Sequence, residues 1–443
     1  MQPLDQTPDL LSIAAALPRR YPFLLDSATA GPLGQYSLLL RSSGERLVLE
    51  PGGRLSGAGD ARAFLDALED RYRACATADA PDAALPFSGG WFVYLGYELA
   101  AEIEPTLELP AARDGLPVAM AERCPAAVVI RHGGPGGNRA WLVAETREMV
   151  EEMRAELWGM EVRPPTSMPG LDCLDAEPAR RFEEAVERIQ RYIEAGDVFQ
   201  VNLSRGWRGR FAAAADPFEL YRRLRHNNPA PFAGLAHMAG RFLISSSPER
   251  LVETRARCVQ TRPIAGTYPR GRDRASDRAL SRDLLAHPKE RAEHVMLIDL
   301  ERNDLGRVCH AGSIEVNEFM VVESYTHVHH IVSNVRGVLR EDMTPVDAIR
   351  AVFPGGTITG CPKIRCMQII AELEGAGRGF YTGAMGYLSR DGRMDLNILI
   401  RSMLLADREI LFRTGAGIVA DSVAQREVAE TEAKAKGLLA ALA

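Results

Sequence analysis

At 443 residues, with 46% hydrophobic and 25% charged side chains, the chain has the make-up of a globular protein too large for one ordinary core. Its net charge of -6 gives no general attraction to nucleic acid or to an anionic membrane surface, and no stretch approaches the uninterrupted apolar length of a transmembrane helix. The seven cysteines are odd in number, lack a Cys-x-x-Cys pair and have no histidine spacing suited to zinc, which predicts reduced thiols in the cytoplasm.

In chain order, residues 1–165 predict a mixed first subdomain. Tyr36–Arg41 and Arg46–Glu50 have strand character, Asp60–Tyr72 is an amphipathic helix, and Gly89–Tyr97 is a strand entered through glycines. Ala126–Arg131 and Ala140–Ala144 predict a hairpin across Gly133–Gly137, and Arg163–Gly170 is the best linker candidate. The opening residues Met-Gln-Pro-Leu-Asp-Gln have no charged-then-apolar run, so no secretory signal is expected.

The second portion, 175–443, opens with a helix over Pro178–Ala195 and a strand over Val198–Ser204, in which Gln200 and Asn202 share one face. A helix over Pro217–Asn227 precedes strands at Phe232–Met238 and Phe242–Ser246. The last of these delivers a polar loop, Ser246-Ser-Pro-Glu-Arg250. Strands dominate the side that carries the polar motifs and helices recur outside them. The prediction is therefore an α+β fold, a large β-sandwich of mainly antiparallel sheets with helices packed outside, rather than an alternating parallel fold.

Further on, Tyr325–Ser333 has strand character with histidines at 327, 329 and 330, each more often structural than catalytic in such a setting. Pro354–Lys363 invites comparison with a phosphate-binding loop but fails it, because Cys361-Pro362 stands where Lys-Ser/Thr must follow; its glycines instead predict a tight turn before a helix. Ala384–Ser402 predicts a hairpin turning at Asp391-Gly392, with Arg401 near the end of an apolar strand and in need of a carboxylate partner. Thr414-Gly-Ala-Gly-Ile418 is glycine-rich enough for backbone N–H groups to approach an oxyanion.

The acids of two helices form a pattern. Glu290 and Glu293 are one turn apart, and near the C-terminus Glu427 and Glu430 repeat the spacing on a helix that Asp421 or Ser422 can cap. A solvated acidic face explains either pair alone. Two Glu-x-x-Glu helices facing each other would instead make a four-carboxylate, all-oxygen site suited to Mg2+, which binds through a few carboxylates and the substrate's own anionic group.

Ser246-Ser-Pro-Glu-Arg250, Pro263-Ile-Ala-Gly-Thr267, the run from Glu293 to Arg307 with Asp-Leu-x-Arg-Asn-Asp-Leu-Gly-Arg at its end, Gly360-x-Pro-Lys363, Ile400-Arg-Ser402 and Gly415-Ala-Gly-Ile-Val-Ala-Asp-Ser422 occur in an order that resembles the chorismate-utilising enzymes. The resemblance covers about residues 178–443. It implies Mg2+ held against the ring carboxylate of chorismate by Glu293 and Glu430, with Glu290 and Glu427 in the same shell. Tyr381, Arg401, Gly415, Ala416, Gly417 and Lys363 are implied as substrate-binding residues, and Glu249 as the acid that protonates the departing C4 hydroxyl. His330 and Thr357 match positions beside the enolpyruvyl ether.

Within the family, water-activating members place a Lys where this chain has Gln200. An amide cannot deprotonate water, which leaves ammonia as the nucleophile and a separate glutamine amidotransferase subunit, in a heterodimer, as its source. Ala265 and Thr357 resemble the anthranilate-forming branch. Phe199–Ser204 and Asn228–Phe232 resemble the aminodeoxychorismate-forming branch, Phe23–Ser27 differs from the Leu-Leu-Glu-Ser of the inhibitory site in tryptophan-inhibited anthranilate synthases, and these whole stretches outweigh single positions. The expected reaction is amination of chorismate to 4-amino-4-deoxychorismate without a covalent lysine adduct, because Ala265 stands at the position of that lysine; anthranilate formation is the alternative.

Overall fold

A computed structural model describes residues 1–29, 31, 33–77, 85–134, 137–324 and 328–443. Two large sheets face each other, of 12 and 11 strands among the described residues, and every strand pair in them is antiparallel. The α+β sandwich predicted from the sequence is the observed architecture.

The strand Gly90–Leu95 shows why the sheets stack: all six residues are buried, so both of its faces are covered, as a continuous apolar run requires. Phe92 on this strand stacks on Phe23 of the opposite sheet at 3.8 Å between ring centroids, and Leu38, Leu40, Met120 and Val129 fill the same layer. Helices close the outer faces. Ala179–Glu194 buries Phe182, Val186 and Ile189 at helical spacing. Pro345–Val352 starts at a Thr344–Asp347 capping box with Pro345 in its first turn.

Strands from the first 165 residues are spliced into both sheets. Phe23–Asp26 pairs with Phe232–Met238 in one, and Gly90–Leu95 pairs with Ala384–Ser389 in the other. The 163–170 segment is tied down rather than free, since Arg163 pairs with Asp216 at 2.6 Å and the Thr166 N–H donates to Glu219.

Three local expectations differ. The strand expected to end at Ser204 runs from Gln200 to Phe211 because Val201–Arg210 pairs along Glu409–Ile418. The C-terminal helix begins at Ala424 without a side-chain cap, and the Ser422 hydroxyl accepts from Val419 N–H instead. Arg401 does not lie on a strand: it has φ +50° between Met394–Ile398 and Ser402–Ala406, where the chain leaves one sheet for the other. His327, together with Tyr325 and Thr326, lies outside the described residues.

Candidate functional site

The chain crosses between the sheets twice at adjacent places. One crossover, between Arg241–Ser247 and Arg250–Arg255, carries Glu249; the other carries Arg401. They are fastened together by Ser246 N–H to Arg401 O at 3.1 Å, Ile398 N–H to Glu249 O at 3.0 Å and Ser247 Oγ to Ile398 O at 2.5 Å.

Glu249 is 6% exposed and its Oε1 has no hydrogen-bond partner. Burial raises its carboxyl to about 7, partly offset by the Thr357 hydroxyl, the Lys434 and Arg401 cations and the Ile264 N–H. A carboxyl poised near neutrality is suited to donating a proton. Among the described residues the Arg401 guanidinium has no ion-pair partner; desolvation lowers it, and the nearby Glu249 charge opposes that shift. A carboxylate partner was expected for this arginine, and the protein leaves that role open.

Ile264–Pro269 brings Ala265, 9% exposed, into the same region. A bulge at Gly266 follows, in a left-handed conformation (φ +61°) that favours glycine, and a Cβ there would meet Glu290 Oε2 at 2.8 Å. His330 is buried on the neighbouring strand, its Nδ1 at 3.4 Å from Gly266 O. Burial first, then Arg401, lowers it to about 4, so the imidazole is neutral at physiological pH. His329 is occupied elsewhere, by Ser324 and Asp277.

On the opposite sheet Gln200 and Asn202 do share a face, and Gln200 Oε1 and Asn202 Oδ1 have no hydrogen-bond partner among the described residues. A Cβ at Gly417 would meet Gln200 Nε2 at 2.4 Å, and one at Gly415 would meet Tyr381 Oη at 2.7 Å and Asn202 Oδ1 at 3.0 Å. Glycines at 415 and 417 therefore admit three polar side chains to one surface, with Ala416 between them facing the core. Arg378 lies over the Tyr381 ring at 5.6 Å and is itself held by Glu374 at 2.6 Å.

Lys363, which the resemblance implies as substrate-binding, is engaged within the protein. Its ammonium pairs with Asp304 at 2.5 Å and donates to Val352 O at 3.0 Å.

The four expected metal ligands sit on the helices Pro288–Gly306 and Ala424–Leu442. Glu430 pairs with Lys434 at 2.7 Å, and Lys434 also donates to Gly415 O at 2.9 Å. Among the described residues no group of three or more His, Cys, Asp or Glu side chains is close enough to hold a metal, so the four acids are not gathered into one shell. As an all-oxygen set offered in pairs, with Glu290 at the Gly266 bulge and Glu430 beside the Gly415 strand, they suit a hard cation whose remaining ligands are water and a substrate carboxylate.

Three residues of the site had not been singled out. Thr261 and Lys434 border Glu301 and Glu249, respectively, and Glu301 is a second buried acid. Glu301 falls between Leu297 and Leu305 at helical spacing, and a carboxyl inside an apolar stripe was the available signal. A separate cavity of about 430 Å³ lies near Asp26 and Ser27, where Arg250 is already paired with Asp395 and Glu253.

Crossovers that present a buried acid, and an arginine with no ion-pair partner among the described residues, to a glycine-lined sheet define a site for a small anionic substrate. The family model described as chorismate binding enzyme matches residues 35–440, and the chain belongs to that family. It is thus an enzyme acting on chorismate. It is 41% identical to anthranilate synthase component 1 of Pseudomonas putida over 449 residues, 95% of this chain and 90% of that protein. It is 48% identical to aminodeoxychorismate synthase component 1 of Bacillus subtilis over 261 residues, 59% of this chain and 55% of that one. The crystal structure of anthranilate synthase component I from Streptococcus pneumoniae superposes with a TM-score of 0.79 at 33% identity, covering 92% and 93% of the two chains. The menaquinone-specific isochorismate synthase of Escherichia coli, at 19% identity and a TM-score of 0.75 over 100% of this chain and 93% of its own, shares the fold. No helix among the described residues is long and apolar enough to cross a membrane.

Proposed function

We propose that the chain is the chorismate-aminating component of an aminodeoxychorismate synthase, fed with ammonia by a glutamine amidotransferase subunit. The carrying observation is the Glu249–Arg401 pair: a buried, protonatable carboxyl beside an arginine that has no ion-pair partner among the described residues. Arg401 and Tyr381 receive substrate carboxylates, with Gly415 and Gly417 keeping the surface open. Gln200 presents an amide where water would need a base, which favours a nucleophile that is already neutral and reactive.

Ammonia adds at C2 of chorismate, the ring double bonds shift, and the C4–O bond breaks as Glu249 gives its proton, so that the hydroxyl leaves as water. The ammonium formed at C2 returns one proton to Glu249. Ala265 has no amine for a covalent adduct, so a second ammonia adds at C4 while the C2 nitrogen leaves, protonated by the same carboxyl. Neutral His330 and Thr357 flank the enolpyruvyl ether without ionising it. Mg2+, when bound, would draw on Glu293 and Glu430, with Glu290 and Glu427 reaching it directly or through water, and would supply positive charge against the ring carboxylate.

Whole-stretch similarity to the aminodeoxychorismate branch supports this product, as does 48% identity to the Bacillus subtilis relative over 261 residues. A second reading, anthranilate plus pyruvate, is favoured by Ala265, by Thr357 and by the Pseudomonas putida relative. The two share the first addition and diverge after it. Chain incubated with chorismate, Mg2+ and ammonium, with and without aminodeoxychorismate lyase, separates them. p-Aminobenzoate that forms only with lyase supports the proposal; anthranilate and pyruvate without lyase overturn it. Labelled ammonia that never enters C2 during turnover excludes the two-addition route.

A further inference from the structure

The turn that presents Tyr381 is held from outside the site by two carboxylates that the reaction above does not use. Glu98, in the helical turn Tyr97–Leu99, accepts the Arg378 N–H on Oε1 at 2.7 Å and the Gly379 N–H on Oε2 at 3.1 Å. Asp114 accepts the next one, the Phe380 N–H, on Oδ2 at 3.1 Å, while its Oδ1 takes the Leu116 N–H at 3.0 Å. The fit is tight: Gly379 has φ +60°, and a Cβ on it would collide with Asp114 Oδ2. Gly379 O in turn accepts the Tyr97 N–H at 2.8 Å. Past Tyr381 the same turn reaches the Arg401 crossover. Thr382 N–H donates to Leu399 O at 2.9 Å and Leu399 N–H to Gly383 O at 2.8 Å, two residues before Arg401.

We propose that Glu98, with Asp114, is a positioning residue for Tyr381: by fixing the backbone of 378–380 it sets where the phenol meets a substrate carboxylate. The inference rests on the reading of Tyr381 as a substrate ligand. The hydroxyl has little latitude, since a Cβ on Gly415 would already lie 2.7 Å from Tyr381 Oη. A small movement of the turn therefore displaces it across the glycine strand that receives the substrate. Two adjacent N–H groups call for an acceptor on each oxygen and a donor on neither, which a carboxylate supplies and an amide does not. Gln at position 98 must turn its NH2 group toward one of the two N–H groups. That N–H loses its acceptor, the turn shifts, and Tyr381 Oη moves with it. The contact acts on the part of the site that holds the substrate, so its effect falls on KM for chorismate rather than on kcat.

The test is a double-mutant cycle on KM for chorismate, at saturating Mg2+ and ammonia and well below the melting temperature of every variant. It is run at pH 8, where Glu98 is ionised: burial raises its carboxyl to about 7, and the Arg378 and Gly379 N–H groups hold it down. Tyr381→Phe alone is expected to raise KM about tenfold and Glu98→Gln alone about fivefold, with kcat within about twofold of wild type in both. Tyr381→Phe removes the hydroxyl through which Glu98 acts, so the double variant should stay at about tenfold, where independent effects would give about fiftyfold. A KM unmoved in Glu98→Gln, or the full product in the double variant, overturns the proposal and leaves Glu98 a residue that stabilises the fold. A KM unmoved in Tyr381→Phe is a different failure: the reading of Tyr381 as a ligand falls, and the proposal with it. Should Glu98→Gln not fold, Asp114→Asn sets an amide against the Phe380 or Leu116 N–H and carries the same cycle. Should wild type not turn over, dissociation constants for chorismate with Mg2+ and no ammonia, measured by titration calorimetry, complete it, because product identity does not enter.

Discussion

Glu249 and Arg401 stand on neighbouring crossovers between the two sheets, and Ser246 N–H to Arg401 O at 3.1 Å with Ile398 N–H to Glu249 O at 3.0 Å locks them in register. Neither could be placed so from a strand interior, where alternate side chains leave for opposite faces. The sandwich supplies rigidity, and the two breaks in it supply the chemistry. Arg401 adopts φ +50° at its break, an uncommon conformation for a side-chain-bearing residue and one the surrounding sheets must enforce.

Removing the acid exposes what its burial costs. The Glu249 carboxyl is raised from 4.5 to about 7, so its contribution to stability is complete below the unfolded value and is lost as pH rises through about 7. Glu249→Gln should therefore unfold at a higher temperature than wild type at pH 8, by an increment on the order of 2 kcal/mol, with little difference at pH 4.5. Turnover should fall by about 10² to 10⁴ while chorismate still binds. Calorimetric melts at the two pH values check the first part; an unaltered difference between them would remove the assigned shift.

The network under Tyr381 is structural and should behave as such. The Glu374 carboxylate accepts from Arg378 Nη2 at 2.6 Å and from Ser204 N–H at 2.9 Å, and the two charged side chains are each 1% exposed. Glu374→Ala leaves a buried guanidinium unpaired and should destabilise the fold by about 3–5 kcal/mol. Denaturant titration measures this, and a loss below about 1 kcal/mol would mean water replaces the carboxylate.

Much of this was legible beforehand, for physical reasons that differ by element. The strands of Gly90–Leu95 and Arg241–Ser247 declare themselves through apolar runs, and the helix Pro217–Asn227 through its Asp216 cap and Pro217. Gln200 and Asn202 follow from strand alternation alone. Arg401 was read as a strand residue because apolar side chains continue on both sides of it, and a crossover between sheets has no local signature. Lys363 was read through its motif, whereas its burial beside Asp304 is a long-range fact. Glu301 has no local signal beyond a carboxyl in an apolar stripe, because its neighbours Thr261 and the Gly356 turn are distant in sequence.

Gln200 offers a test of where ammonia is received. Its side chain is 9% exposed and its Oε1 has no partner, an arrangement that costs about 1–3 kcal/mol unless a ligand supplies the donor. Gln200→Leu should raise the KM for ammonia about tenfold and leave the KM for chorismate nearly unchanged. Steady-state kinetics with ammonium as nitrogen source decides it, and a rise confined to chorismate would assign the amide to the ring substrate instead.

The two glycines of the substrate surface should not respond alike to a methyl group. At Gly417 the added Cβ would meet Gln200 Nε2 at 2.4 Å, the far end of a side chain that can swing aside. At Gly415 it would meet Leu203 O and Tyr381 Oη, each at 2.7 Å, and the former is backbone within the ladder to Gln200–Phe211. Gly417→Ala should therefore fold normally and lose affinity for ammonia by displacing the Gln200 amide. Gly415→Ala should lower the unfolding temperature, by the 1–3 kcal/mol typical of overpacking, and raise the KM for chorismate by moving Tyr381. Melting curves and the two Michaelis constants, measured on both variants, separate the cases. Equal melting temperatures would show that the strand pair yields to the methyl group and that Tyr381, not the backbone, absorbs it.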